Sequence, residues 1–162
     1  MRKIRNSLAV LTLIVGATAS AVAHDDTFRA RLSGSEEVPA VSTGARGRAA
    51  LEIDGDTIAF DVSYENLEGD VSVAHIHLGQ RGVSGSVIAF FCGGGGKPAC
   101  PPAPARITGT IVAADVIGPT AQGIAPGEFE EAVRALRAGL VYANVHSSTF
   151  PSGEIRGQLR ED

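Results

Sequence analysis

Apolar and polar residues alternate with a period of two along most of this chain. In TFRARLS (residues 27–33), Phe28, Ala30 and Leu32 fall on one face, and Arg29 and Arg31 on the other. That pattern marks a half-buried strand. RGRAALEID (46–54) turns Ala49, Leu51 and Ile53 inward, and Asp54-Gly55-Asp56 supplies a tight turn. TIAFDVSYEN (57–66) then returns with Ile58, Phe60, Val62 and Tyr64 on one side. VSVAHIHLGQ, SVIAFF, ITGTIV, GLVYANVH and GEIRGQL continue the series. Roughly eight short strands with Gly, Asp and Pro turns predict an all-β fold, an antiparallel sandwich or barrel.

One segment breaks the rhythm. In PGEFEEAVRALRAGL, Phe129, Ala132, Val133 and Leu136 recur at helical spacing. Glu128, Glu130 and Glu131 open the segment, Arg134 and Arg137 close it, and Gly139 follows. Charge order and glycine suit a short helix with its dipole satisfied and its C-terminus capped. Its apolar stripe is expected to pack on the sandwich.

The first residues carry a different signal. Arg2, Lys3 and Arg5 precede an apolar run from Leu8 to Val15, and Ala21-Val22-Ala23 fits a small-x-small cleavage site. Residues 1–23 therefore read as a signal peptide and 24–162 as one exported domain, secreted or periplasmic; an uncleaved anchor is the alternative. Cleavage removes three cations and no anion, taking formal charge from −4 to −7. That balance argues against a nucleic-acid partner, and no later stretch is long and apolar enough for a membrane span. Cys92 and Cys100 flank a Gly/Pro loop, which in an exported chain is most simply a disulfide. A two-cysteine metal site is the rival, without the tight spacing of zinc knuckles. The GGGGK within that loop is followed by proline rather than Ser or Thr, so it is no phosphate loop.

Two of the four histidines sit on one strand. His75 and His77 project from the same face, opposite Ala74, Ile76 and Leu78. In GLVYANVH, Tyr142, Asn144 and His146 likewise oppose Val141, Ala143 and Val145. Should the two strands be neighbours, three imidazoles converge on the outer, non-core face. Neutral imidazole suits copper, zinc and nickel, and copper binds such sites most tightly among the divalent ions. His24 would be the mature N-terminus and a possible extra ligand. The competing account is a hydrogen-bonded histidine cluster beneath a loop. GEIRGQL alternates Glu154, Arg156 and Gln158 with Ile155, Gly157 and Leu159, and the turn SSTFPSG makes it a hairpin partner of the His146 strand. Glu154 could then orient an imidazole N–H and Arg156 attract a small anion, unless the two form an ion pair on a solvated face.

LSGSEEVPAV (32–41), VSVAHIHLGQRGVSG (71–85) and YANVHSSTFPSGEIRGQL (142–159) together resemble the CHRD, or chordin-type, domain family. The resemblance implies an immunoglobulin-like, Greek-key antiparallel β-sandwich in an extracellular setting, without an agreed activity. Glu36 and Glu37 lie in its first motif, where a turn or edge position is expected. The AHIH strand followed by one ending in NVH is also similar, more faintly, to the copper half of copper–zinc superoxide dismutase. By that likeness His75, His77 and His146 would be copper ligands, with neither the bridging histidine nor the zinc half present.

Two functions follow as expectations. One is a copper-binding protein, for storage, delivery or superoxide-dismutase-like redox chemistry. The other is a non-catalytic extracellular module whose partner is a protein. No Ser/His/Asp order, paired-carboxylate pocket or cofactor loop argues for a hydrolase, and enzymatic turnover ranks behind both.

Overall fold

The computed structural model describes residues 26–162; the expected signal peptide and His24 lie outside them. β1 (Thr27–Ser33), β2 (Arg46–Asp54) and β3 (Thr57–Glu65) form an antiparallel meander. Phe28, Ala30, Leu32, Ala49, Leu51, Ile53, Ile58, Phe60, Val62 and Tyr64 are all buried, so the alternation in the sequence is the alternation between core and outside. Asp54 pairs with Thr57 across a two-residue turn, and Gly55 takes φ 55° there, a left-handed conformation that glycine adopts without strain.

β4 (Val71–Leu78) and β5 (Ser86–Cys92) form a second hairpin, and β6 (Ala105–Ile111) returns to pair with β3. After the helix α1 (Phe129–Arg137), β7 (Val141–Ser147) inserts beside β4 and β8 (Ile155–Gln158) beside β7. A two-residue strand β9 (Arg160–Glu161), which the sequence pattern does not show, pairs with β1. The order across the sheet is β5-β4-β7-β8-β1-β2-β3-β6. Phe60 of β3 and Phe91 of β5 meet with ring centroids 4.8 Å apart, so the two ends of the sheet close on one core. The result is the nearly closed antiparallel β-sandwich with one helix that the pattern predicts.

The helix buries Phe129, Ala132, Val133 and Leu136, together with Ala135. Leu140 N–H bonds the Ala135 carbonyl and Gly139 N–H the Leu136 carbonyl, with Gly139 at φ 68°. These two hydrogen bonds satisfy carbonyls that the helix end would otherwise leave open. Cys92 and Cys100 form a disulfide, which pins the glycine loop behind β5. Lys97 in that loop pairs with Asp115 at 2.9 Å and donates to the Thr110 carbonyl. Its role is to tie the loop to the sheet.

Candidate metal centre

The ladder between β4 and β7 aligns His75 with Asn144, His77 with Tyr142 and Val73 with His146. His146 is thus the diagonal neighbour of His75 on the shared face, within reach of a long side chain. The His75 ring lies between the other two, with centroids 4.4 Å from His77 and 4.6 Å from His146, each edge-to-face. One ring nitrogen from each residue lies within 4.8 Å of those from the others. The three histidines read from the sequence do converge.

The surroundings differ from the simple outer face that strand alternation predicts. His75, His77 and His146 are 4%, 9% and 9% exposed, and every residue of β7 is buried. Loops 79–85 and 148–154 fold over the outer face and cover most of it, through the Gly85 and Pro151 carbonyls at the rings. Opposite β4, β5 skips Phe91 and Ile88 in the pairing. Both skipped residues are buried in the core, while Phe90 meets His75 edge-on at 5.3 Å.

Two backbone carbonyls orient the rings. His77 Nδ1 lies 3.0 Å from the Gly85 carbonyl oxygen, and His146 Nδ1 lies 2.9 Å from that of Pro151. A carbonyl can only accept, so each Nδ1 carries the proton and each Nε2 keeps a lone pair. Five buried side-chain N or O atoms among the described residues have no hydrogen-bond partner, and three are on these rings: His75 Nδ1, His77 Nε2 and His146 Nε2. An unpartnered buried polar atom costs about 1–3 kcal/mol, so three on neighbouring rings are open to a ligand. Metal–nitrogen bonds run about 2.0–2.1 Å. Donors within 4.8 Å of one another need only a side-chain adjustment to share an ion, and the residues present fit one.

Desolvation keeps the rings neutral. Burial, reinforced by His77 and His146, lowers the pKa of His75 from 6.5 to about 2. Burial lowers His77 to about 4 against the raising effect of its Gly85 bond, with His146 and Arg156 lowering it further. His146 is lowered too, again mainly by burial. Neutral imidazole is the ligand form, and proton competition at such a site is weak.

Arg156 and Glu154 are placed differently from the solvated pair considered above. Arg156 is 3% exposed; its guanidinium stacks 3.8 Å from the Tyr142 ring centroid and donates to the Val83 carbonyl. Tyr142 in turn lies parallel to His77, 4.7 Å between centroids and 4° between planes, and its hydroxyl accepts the Gly85 N–H at 3.1 Å. Arg156 therefore holds loop 79–85 down through Tyr142. Glu154 is fully buried, and its Oε1 accepts from the Thr43 hydroxyl and the Glu68 N–H, not from an imidazole.

Glu37, at the turn following residues 34–36, is more than a turn residue. It is 8% exposed and accepts from the Asn144 side chain at 2.7 Å, while the same amide nitrogen donates to the Ile155 carbonyl. Burial pushes the Glu37 carboxyl up to about 7, against the lowering effect of the Asn144 bond and Arg156. Glu36 is exposed enough to pair with Arg81 at the surface. Gly85, Pro151, Tyr142 and Glu37 are the contributors that the sequence reading did not assign. For Gly85 and Pro151 the visible signal is that each histidine strand runs into a Gly/Pro/Ser loop; Tyr142 falls on the histidine face and Glu37 in the first motif, neither with a role at the site.

The CHRD domain family model matches residues 28–159, and the chain belongs to this family. CHRD domains are found in extracellular proteins. Among the described residues, no helix is long and apolar enough to cross a membrane. No curated protein and no solved structure matches the chain.

Proposed function

We propose that this CHRD-domain protein is an exported copper-binding module, acting in the periplasm or outside the cell, whose ion is held by His75, His77 and His146. The observation that carries the reading is the trio of buried, unpartnered ring nitrogens. Copper is favoured over a structural zinc because the cluster contains three ligating residues among those described, and structural zinc takes four. Both cysteines are committed to the disulfide, so no thiolate joins. All-imidazole sites rank copper first among the divalent ions.

The chain's own residues do three things for such an ion. The carbonyls of Gly85 and Pro151 fix the tautomers of His77 and His146. Phe90, Tyr142 and the loops above them exclude water. The three rings stay neutral in a desolvated setting, so that lone pairs rather than protons meet the ion. Copper held there would supply one-electron chemistry; storage or delivery uses the same ligands without turnover.

A second reading rests on the same two carbonyl bonds. They staple loops 79–85 and 148–154 to the sheet, as expected of a purely structural module with a protein partner. It accounts for the Nδ1 atoms of His77 and His146 but leaves the three opposing nitrogens without a role. Titrating the metal-free full chain with Cu(I), Cu(II) and Zn(II) separates the two. Near one equivalent of copper, lost in His75→Ala/His77→Ala, supports the site; absence of tight binding supports the module.

A further inference from the structure

The outer face of the β1–β2–β3–β6 layer carries both signs of charge: Glu52, Asp54, Asp61 and Glu65 share it with a set of arginines. Arg29, Arg31, Arg46, Arg48, Arg106 and Arg160 lie on this face or its β9 edge, six of the fourteen Lys and Arg residues of the sequence. Three are neutralised: Arg29 by Asp162, Arg46 by Glu65 and Arg106 by Asp61. Of the other three, Arg160 stands on the β9 edge, and Arg31 and Arg48 lie on the face itself. They stand directly opposite each other in the β1–β2 register, both exposed, and neither makes an ion pair with a described residue. Like charges facing across a ladder oppose sheet pairing, so the fold carries this juxtaposition against its own stability.

The same register continues outward. Arg48 faces Ser63, and Ser63 faces Arg106. Arg31, Arg48, Ser63 and Arg106 thus form one row perpendicular to the strands, spanning three inter-strand spacings, about 14 Å. The row lines a shallow depression of about 600 Å³, open to solvent, whose wall also holds Asp61, the partner of Arg106; the nearest aromatic, Tyr64 in the adjoining depression, is buried and offers no stacking face. We infer that this row is a docking track for an acidic polysaccharide, whose carboxylate or sulfate groups the unpaired guanidiniums of Arg31 and Arg48 grip while Ser63 and the neighbouring Thr108 meet its hydroxyls. Guanidinium is the side chain that binds planar and tetrahedral anions through paired N–H donors. Without an aromatic stacking platform the row lacks what single-stranded nucleic acid needs. Without exposed apolar side chains beside it, the row lacks what membrane insertion needs. The track lies on the opposite layer from the histidines and does not depend on a bound ion.

The test is binding of the metal-free full chain to immobilised heparin (sulfated), alginate (carboxylated) and dextran (neutral) across a salt series. Expected is retention on one or both acidic chains and none on dextran, the stronger arm identifying the anion. Arg31→Ser/Arg48→Ser should weaken binding by about tenfold and reduce the salt slope by about two charges, whereas Arg134→Ser on the helix should change neither. Because the double variant removes a like-charge pair, its thermal midpoint should hold or rise, so a loss of binding is not a loss of fold. Equal retention of wild type and double variant would overturn the inference, as would tighter binding to single-stranded DNA or to phosphatidylglycerol vesicles.

Discussion

The Nδ1–H of His77 donates to the Gly85 carbonyl, eight residues along the chain, at 3.0 Å. That bond selects the tautomer that leaves Nε2 with a free lone pair, buried and without a partner, and it ties loop 79–85 to the His77 ring. Gly85 is also where the loop has no spare room: a Cβ there would fall 1.7 Å from the Leu78 carbonyl oxygen. Gly85→Ala is expected to displace the loop and lower stability by about 1–3 kcal/mol. It should also weaken copper binding. Chemical denaturation and a copper titration on the same variant check both effects.

Removing the disulfide should be felt at His75. The backbone of Gly94 and Gly95 lies on the Phe90 ring, where a Cβ would come within 2.5 and 2.6 Å of it, and Phe90 packs on the His75 ring. Cys92→Ser/Cys100→Ser releases a short loop, a change of about 2–3 kcal/mol in the chain-entropy account. The expected outcome is a lower thermal midpoint together with weaker copper binding. A lower midpoint with unchanged affinity would uncouple the loop from the site.

The pH dependence follows from the lowered histidine values. An imidazole at about 6.5 in the unfolded chain and about 4 or 2 when folded binds its proton more readily unfolded. Its contribution is therefore intact above pH 6.5 and is lost as pH falls toward the folded values, by up to about 1.4 kcal/mol per pH unit for each ring. Glu37 acts with the opposite sign. Its carboxyl, raised to about 7, favours the folded state below 4.5 and loses that contribution as pH rises through 7. Metal-free protein should accordingly weaken below pH 6, with His77→Gln flattening the acid limb. Ring NMR signals of His75 and His77 should show no titration near pH 6, and that of His146 should be displaced below the ordinary histidine value.

Arg156 and His77 are coupled through Tyr142. The guanidinium stacks on the tyrosine and lowers the basicity of His77. Arg156→Met keeps much of the packing volume but removes the charge and the bond to the Val83 carbonyl. Stability should drop by about 2 kcal/mol, in line with a desolvated cation–π contact. The His77 pKa should move upward, read from the ring NMR titration.

The fold was legible because its determinants are local. Phe28, Ala30 and Leu32, or Phe129, Ala132, Val133 and Leu136, announce strand and helix by spacing alone, and the structure buries all of them. The face carried by His75, His77 and His146 was legible for the same reason. What covers that face was not. Glu37 meets Asn144 across 107 residues and Arg156 reaches Val83 across 73, and no periodicity encodes such pairings. Strand alternation gives a side chain's direction and is silent about loops returning over it. An outward-facing histidine and a buried one therefore look alike in the sequence. The two-residue β9 has too few positions to show a period at all.

X-ray absorption at the copper edge, on the full chain loaded with one equivalent, tests the central claim most directly. The account predicts scattering from three imidazole nitrogens, no sulfur contribution, and loss of that signature in both His75→Ala/His77→Ala and His146→Ala. A spectrum of mixed oxygen donors that is unchanged by those substitutions would contradict it.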